Sequence, residues 1–134
     1  MTVKLILCAA AALIDADNRV LIQKRPEGKS WAGYWEFPGG KLEAGETPEQ
    51  ALIRELKEEL AVTTVEKAFF PLSFISHTYP EGHALVPIFG CRNWTGIPQT
   101  LENQELAWVK PIRLADYNLL PSNVPMIAPL SQLI

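Results

Sequence analysis

The stretch GGKLEAGETPEQALIRELKEELAV, Gly39 to Val62, joins a glycine pair to a helix start and three clustered glutamates. Thr47-Pro48-Glu49-Gln50 carries the start signal, with Thr at the N-cap, Pro at the first helical position and Gln closing a capping box. The pattern predicts a helix from Pro48 to Leu60. At about 3.6 residues per turn, Leu52, Ile53, Leu56 and Leu60 gather on one face as a core stripe, with Glu55, Glu58 and Glu59 in the adjacent sector. Like charges three and four residues apart cost a helix roughly 0.2–0.5 kcal/mol per pair, so something must compensate them. Either Arg54 and Lys57 relieve a solvated acidic face, or cations bind there.

Working outward towards the N-terminus, Tyr34-Trp35-Glu36-Phe37 alternates as a brief strand that delivers the chain to Pro38-Gly39-Gly40. Glu27 to Gly33 is a polar loop in which Trp31 either shields the loop or simply packs. Leu5 to Ile14 is apolar and alanine-rich, as expected of a central strand buried on both faces. Turn residues Asp15 to Asn18 lead into Val20-Leu21-Ile22, so the first two strands are expected to pair as a hairpin.

Beyond the helix, Thr63 to Phe74 and Ala84 to Cys91 read as two strands flanking a turn at Tyr79 to His83. Pro87 suggests an edge or a bulge for the second, and His83 is expected in the turn. Glu105 to Val109 is a last strand. The proline-rich remainder admits only short helices near Leu114 to Tyr117 and Val124 to Leu133. Strands interrupted by one well-capped helix, with a smaller helix at the end, indicate an α/β fold with a mixed sheet between helical layers. The length of 134 residues suits a single domain, residues 1–134.

Composition narrows the partners. A net charge of −3 without clustered Lys and Arg excludes a nucleic-acid polymer, and any phosphate ligand would need a cation. The apolar run from Leu5 to Ile14 is half of what spans a bilayer, so no membrane partner is expected. Cys8 and Cys91 sit in apolar runs and read as buried thiols, which fits a reducing cytoplasm.

Written out, Gly40-x5-Glu46-x7-Arg54-Glu55-Leu56-x-Glu58-Glu59-x-Ala61-Val62 resembles the Nudix box, G-x5-E-x7-R-E-U-x-E-E-x-G-U, with U a bulky aliphatic. The one departure is Ala61, where the family has glycine, a residue suited to a left-handed helix stop; alanine there either costs about 1 kcal/mol or lengthens the helix. Phe37-Pro38-Gly39-Gly40-Lys41, Gly45 to Ala51, Trp108 and Pro121-Ser122-Asn123-x-Pro125 are similar to the MutT-like subgroup, which hydrolyses nucleoside triphosphates and cleanses the nucleotide pool of 8-oxo-dGTP.

The resemblance implies a Nudix α/β/α sandwich and a Mg²⁺-dependent hydrolase, Mn²⁺ being a possible substitute, that splits a nucleoside triphosphate into monophosphate and pyrophosphate. It assigns the metal to Glu55, Glu58 and Glu59, the Gly39 carbonyl and Glu102, a proton-accepting role to Glu55 or Glu102, an orienting role to Arg54 and a supporting one to Glu46. It places the nucleotide against Arg25, Phe37, Tyr79 and Asn123, although Ser122 and Asn123 also stand where a helix cap would. The MutT pattern has an arginine near Gly82 that this chain lacks, which keeps a CTP or modified-pyrimidine nucleotide pyrophosphohydrolase as the alternative. A nucleotide-sensing module without turnover is the rival of another class. Monomer and homodimer are both compatible with the sequence.

Overall fold

The computed structural model describes residues 3–101 and 104–134. Its spine is β1 (Leu5–Leu13), whose alternating side chains feed two cores. Ala9, Ala11 and Leu13 pack with Leu52, Leu56 and Leu60 of α1 (Pro48–Leu60). Ala10, Ala12 and Ile14 point the other way, into a core with Leu114, Met126 and Leu130, the last from α2 (Ile127–Leu133). Small alanine side chains bring both layers close to the sheet, and the α/β/α sandwich follows.

The remaining strands are β2 (Val20–Lys24), β3 (Trp35–Glu36), β4 (Gly39–Lys41), β5 (Phe69–Tyr79), β6 (Gly82–Cys91) and β7 (Leu106–Val109). They form two sheets, a mixed one of order β4-β1-β6-β5 and a smaller one of order β3-β2-β7. In the first, β1 runs parallel to β6 and antiparallel to β4.

Several local expectations are corrected. The turn at Asp15 to Arg19 forms, but β1 and β2 share only the Ile14–Val20 bridge before β2 leaves to pair with β3 and β7. β6 is interior, not an edge, and its register with β1 lapses between Leu85 and Ile88, where Pro87 has no amide proton to offer. The bulge lies in β5, between Pro71 and Ser73. His83 belongs to β6, where its ring bonds Ser76 and Thr78. β5 begins only at Phe69, after a short 3-10 turn over Glu66–Ala68. β1 is buried on both faces only from Ala9 onward; Leu5 and Leu7 are 54% and 45% exposed, because α1 covers half of that face.

Helix α1 starts as its capping box dictates: Thr47 Oγ1 accepts from the Gln50 amide at 3.2 Å and Gln50 Oε1 from the Thr47 amide at 2.9 Å. Ile53 is only half-buried, and Ala51 takes its place in the core stripe. Each fully buried leucine contributes about 1.5–3 kcal/mol. Ala61 ends the helix in the left-handed conformation, φ 57° and ψ 33°, so the helix is not lengthened. Cys8 is half-buried and Cys91 buried, both as free thiols. No helix among the described residues is long and apolar enough to cross a membrane.

Candidate active site

Where β4 meets α1, Gly40 presents a bare Cα to Glu55; a Cβ there would stand 2.6 Å from Glu55 Oε1. Arg54, the preceding residue, clamps the platform from behind. Its guanidinium holds Glu46 with two bonds of 2.8 and 2.9 Å, Glu55 Oε1 at 2.8 Å, Glu58 at 3.5 Å and the Lys41 carbonyl at 3.1 Å. Such a planar fork fixes carboxylates in a way that a point charge cannot. The Arg54 bond, helped by the Glu43 amide, holds the Glu46 carboxyl down at about 2. Glu46 therefore ties the loop to the helix instead of facing the ligand side.

Glu59 behaves in the opposite way. Burial first, then the hydrogen bond with Glu55, push it up to about 8, against a smaller lowering by the Gln23 amide. Burial also raises Glu36, opposed by Arg25, whose Nη1 lies 3.0 Å from Glu36 Oε1. The Glu59 carboxyl, sharing a hydrogen bond with Glu55 in a half-dry setting, holds a proton that a cation would displace.

A cavity of about 640 Å³ opens over this platform. Its lining includes the acidic group Glu55, Glu58 and Glu59 with Gly39, the apolar side chains of Ile6, Ile75, Ala84, Val86 and Leu120, and Phe37 and Asn123. Arg25, Lys41, Trp31 and Tyr79 border it as well. The fold thus brings the residues singled out for metal and for nucleotide to one cavity. Arg54 stands behind that cavity rather than lining it, and Glu102 lies outside the described residues. Arg25 reaches it already paired with Glu36 and bonded to the Ser30 carbonyl at 2.7 Å.

Asn123 caps no helix with its side chain. Its Oδ1 accepts the Phe37 amide at 3.1 Å and its Nδ2 donates to Ser122 Oγ at 3.1 Å. One N–H and one lone pair of the amide remain for a ligand. Trp31, 48% exposed and at φ 58°, is braced edge-on by Tyr34.

Among the residues of this cavity that escaped the sequence reading are Gln23 and Gln104. Each has a buried amide oxygen with no partner among the described residues, an omission worth about 1–3 kcal/mol unless a ligand fills it. The signal for Gln23 was the alternation of β2, which puts a polar side chain on the same inward face as Leu21.

Among the described residues no three carboxylate, His or Cys groups form a closed metal set. The donors of the Glu55, Glu58, Glu59 and Gly39 set are nonetheless all oxygens, with Glu58 62% exposed and able to swing, which suits a hard divalent cation.

A family model described as NUDIX domain matches residues 9–128. This chain belongs to the Nudix family. It is similar to the 8-oxo-dGTP diphosphatase of Escherichia coli, with 34% identity over 93% of this chain and 95% of that protein. It is similar also to the CTP pyrophosphohydrolase of the same organism, at 33% identity over 87% of this chain and 85% of the relative. Among solved structures, one from work on MutT of Aliivibrio salmonicida and Vibrio cholerae superimposes with a TM-score of 0.82 at 32% identity, covering 98% of this chain and all of that one. The Nudix chain is a hydrolase, and Nudix hydrolases generally use divalent metal ions.

Proposed function

We propose that this Nudix hydrolase cleaves nucleoside triphosphates to monophosphate and pyrophosphate with Mg²⁺, acting on oxidised purine nucleotides such as 8-oxo-dGTP, and that residues 1–134 form one domain. The observation carrying this reading is the continuity of one cavity from the Glu55–Glu58–Glu59 platform to the Phe37–Asn123 wall. A cation there would be held by those glutamates with the Gly39 carbonyl and Glu102, and when bound it supplies Lewis acidity and offsets phosphate charge. Arg25 and Lys41 border the cavity and meet the remaining phosphate charge. The apolar wall takes the base, and Asn123 offers its edge the free donor and acceptor of its amide.

Arg54 pins Glu55 Oε1, which gives that carboxylate one orientation in which to accept the proton of the attacking water. Glu102 is the other candidate acceptor. Substitution Glu59→Gln is expected to lower kcat by about 100-fold or more with an unchanged circular dichroism spectrum; near-normal turnover removes the helix from the chemistry.

A second reading, a pyrophosphohydrolase of CTP or a modified pyrimidine nucleotide, is favoured by Glu81, an acid at the cavity in the turn where a cation would close over a purine. Comparing kcat/KM for 8-oxo-dGTP, dGTP, CTP and 5-methyl-dCTP, with products identified, separates the two. Equal values for 8-oxo-dGTP and dGTP defeat the sanitising role. Tight nucleotide binding without pyrophosphate release defeats the enzyme reading in favour of a sensor.

A further inference from the structure

Strand β2 alternates Leu21 and Gln23 on the face that packs against α1, so the register that buries Leu21 with Leu52, Leu56 and Leu60 also aims Gln23 at the platform. Gln23 is 4% exposed. Its Nε2 donates to Glu59 Oε2 over a long 3.3 Å, while its Oε1 is buried, without partner, and borders the cavity. Once a bound cation has ionised Glu59, flipping the amide would set oxygen against its carboxylate. The residue directly across the β2–β3 ladder is Glu36, another acceptor once ionised. None of the described residues supplies the hydrogen that Oε1 needs.

Gln104 repeats the pattern, with its own Oε1 at the same cavity and no partner for it among the described residues. Neutral acceptors beside acidic ones suit a hydrated cation, because hard divalent ions keep several waters and each water donates outward.

We infer that Gln23 is a positioning residue, its N–H holding the Glu59 carboxylate in place and its Oε1 accepting a hydrogen bond from water carried by the cation on the platform. The inference rests on the metal-dependent reading above and adds to it a residue outside the Nudix box. Outer-sphere partners of this kind change metal affinity by about 10–100-fold.

The test is Mn²⁺ binding without nucleotide, followed by electron paramagnetic resonance of the free ion at neutral pH. The proteins compared are the unmodified chain, Gln23→Leu, Gln23→Met, Glu59→Gln and the Gln23→Leu/Glu59→Gln double variant. Expected are a Mn²⁺ Kd raised about tenfold or more in Gln23→Leu, a metal-free Tm equal to or above that of the unmodified chain, and a double-variant loss smaller than the product of the single losses. In turnover, the Mg²⁺ concentration needed for half activation rises while KM for nucleotide at saturating Mg²⁺ holds. Unchanged Mn²⁺ affinity in Gln23→Leu, or fully multiplicative losses, overturns the inference while leaving the metal reading intact. If the unmodified chain binds no Mn²⁺, both fall. Should Gln23→Leu fail to fold, Gln23→Met, which keeps the length of the side chain and removes both polar atoms, decides by the same Kd.

Discussion

Ala61 stops α1 in a conformation that its own methyl group resists, and the helix ends there regardless because Ala61 and Val62 both donate back to carbonyls of its last turn. Ala61→Gly is expected to raise stability by about 0.5–1 kcal/mol, seen as a Tm higher by roughly 2–4 °C, with kcat unaltered since the residue bears no ligand group. Glu59 presents the reverse case, a carboxyl whose folded form resists ionisation. Its pKa is raised to about 8 from an ordinary 4.5, so the folded state binds more protons than the unfolded one between those values, and stability falls as pH rises through that window. Metal-free protein should therefore lose Tm from pH 5 to pH 8. A divalent cation binds the ionised form, so the Tm gained from Mn²⁺ should grow over the same range. Melting curves in chelator and in Mn²⁺ check both; a Mn²⁺ increment that shrinks with pH contradicts the assignment.

At the scale of elements, the short strand β4 does two jobs with adjacent glycines. Gly39 crosses β1 so closely that a Cβ would run into the Ala9 carbonyl, at a φ of 157° that side chains rarely adopt. Gly40 instead faces only the far end of the Glu55 side chain. Gly39→Ala should break the β1–β4 pairing and lower Tm, whereas Gly40→Ala should keep the Tm within a few degrees and cut kcat by displacing Glu55. Equal losses of stability in the two variants would show that β4 is only scaffold. The capping box and the leucine spacing made α1 readable, because each signal lies within one turn of the residues it acts on. Strand partners are another matter. The Asp15 to Arg19 turn is written locally, yet β2 is claimed by Val109, Trp108, Ala107 and Leu106, and that competition across the chain leaves no local trace.

For the whole molecule, the sandwich opens one cavity to both the Glu55–Glu58–Glu59 face of α1 and apolar side chains of β1, β5 and β6. The acidic end was legible as a spacing of glutamates. The nucleotide side rested on resemblance: Asn123 owes its position to a bond with the Phe37 amide, 86 residues away in sequence, which no periodicity reveals. Gln23 went unnoticed because a polar residue after Val20-Leu21-Ile22 looks like a strand ending, and the pairing with β3 and β7 is what carries the strand and its alternation through it. Of the four tryptophans, Trp31 alone borders the cavity, while Trp94 and Trp108 stack on each other and Trp35 packs against Tyr117. That arrangement gives the protein an intrinsic optical probe. Nucleotide entering the cavity should quench a red-shifted emission from the half-exposed indole, and a Trp31→Phe variant should lose the quench while keeping the blue-shifted signal of the other three. Stopped-flow fluorescence can then time arrival and departure of the ligand separately from bond cleavage, without a label.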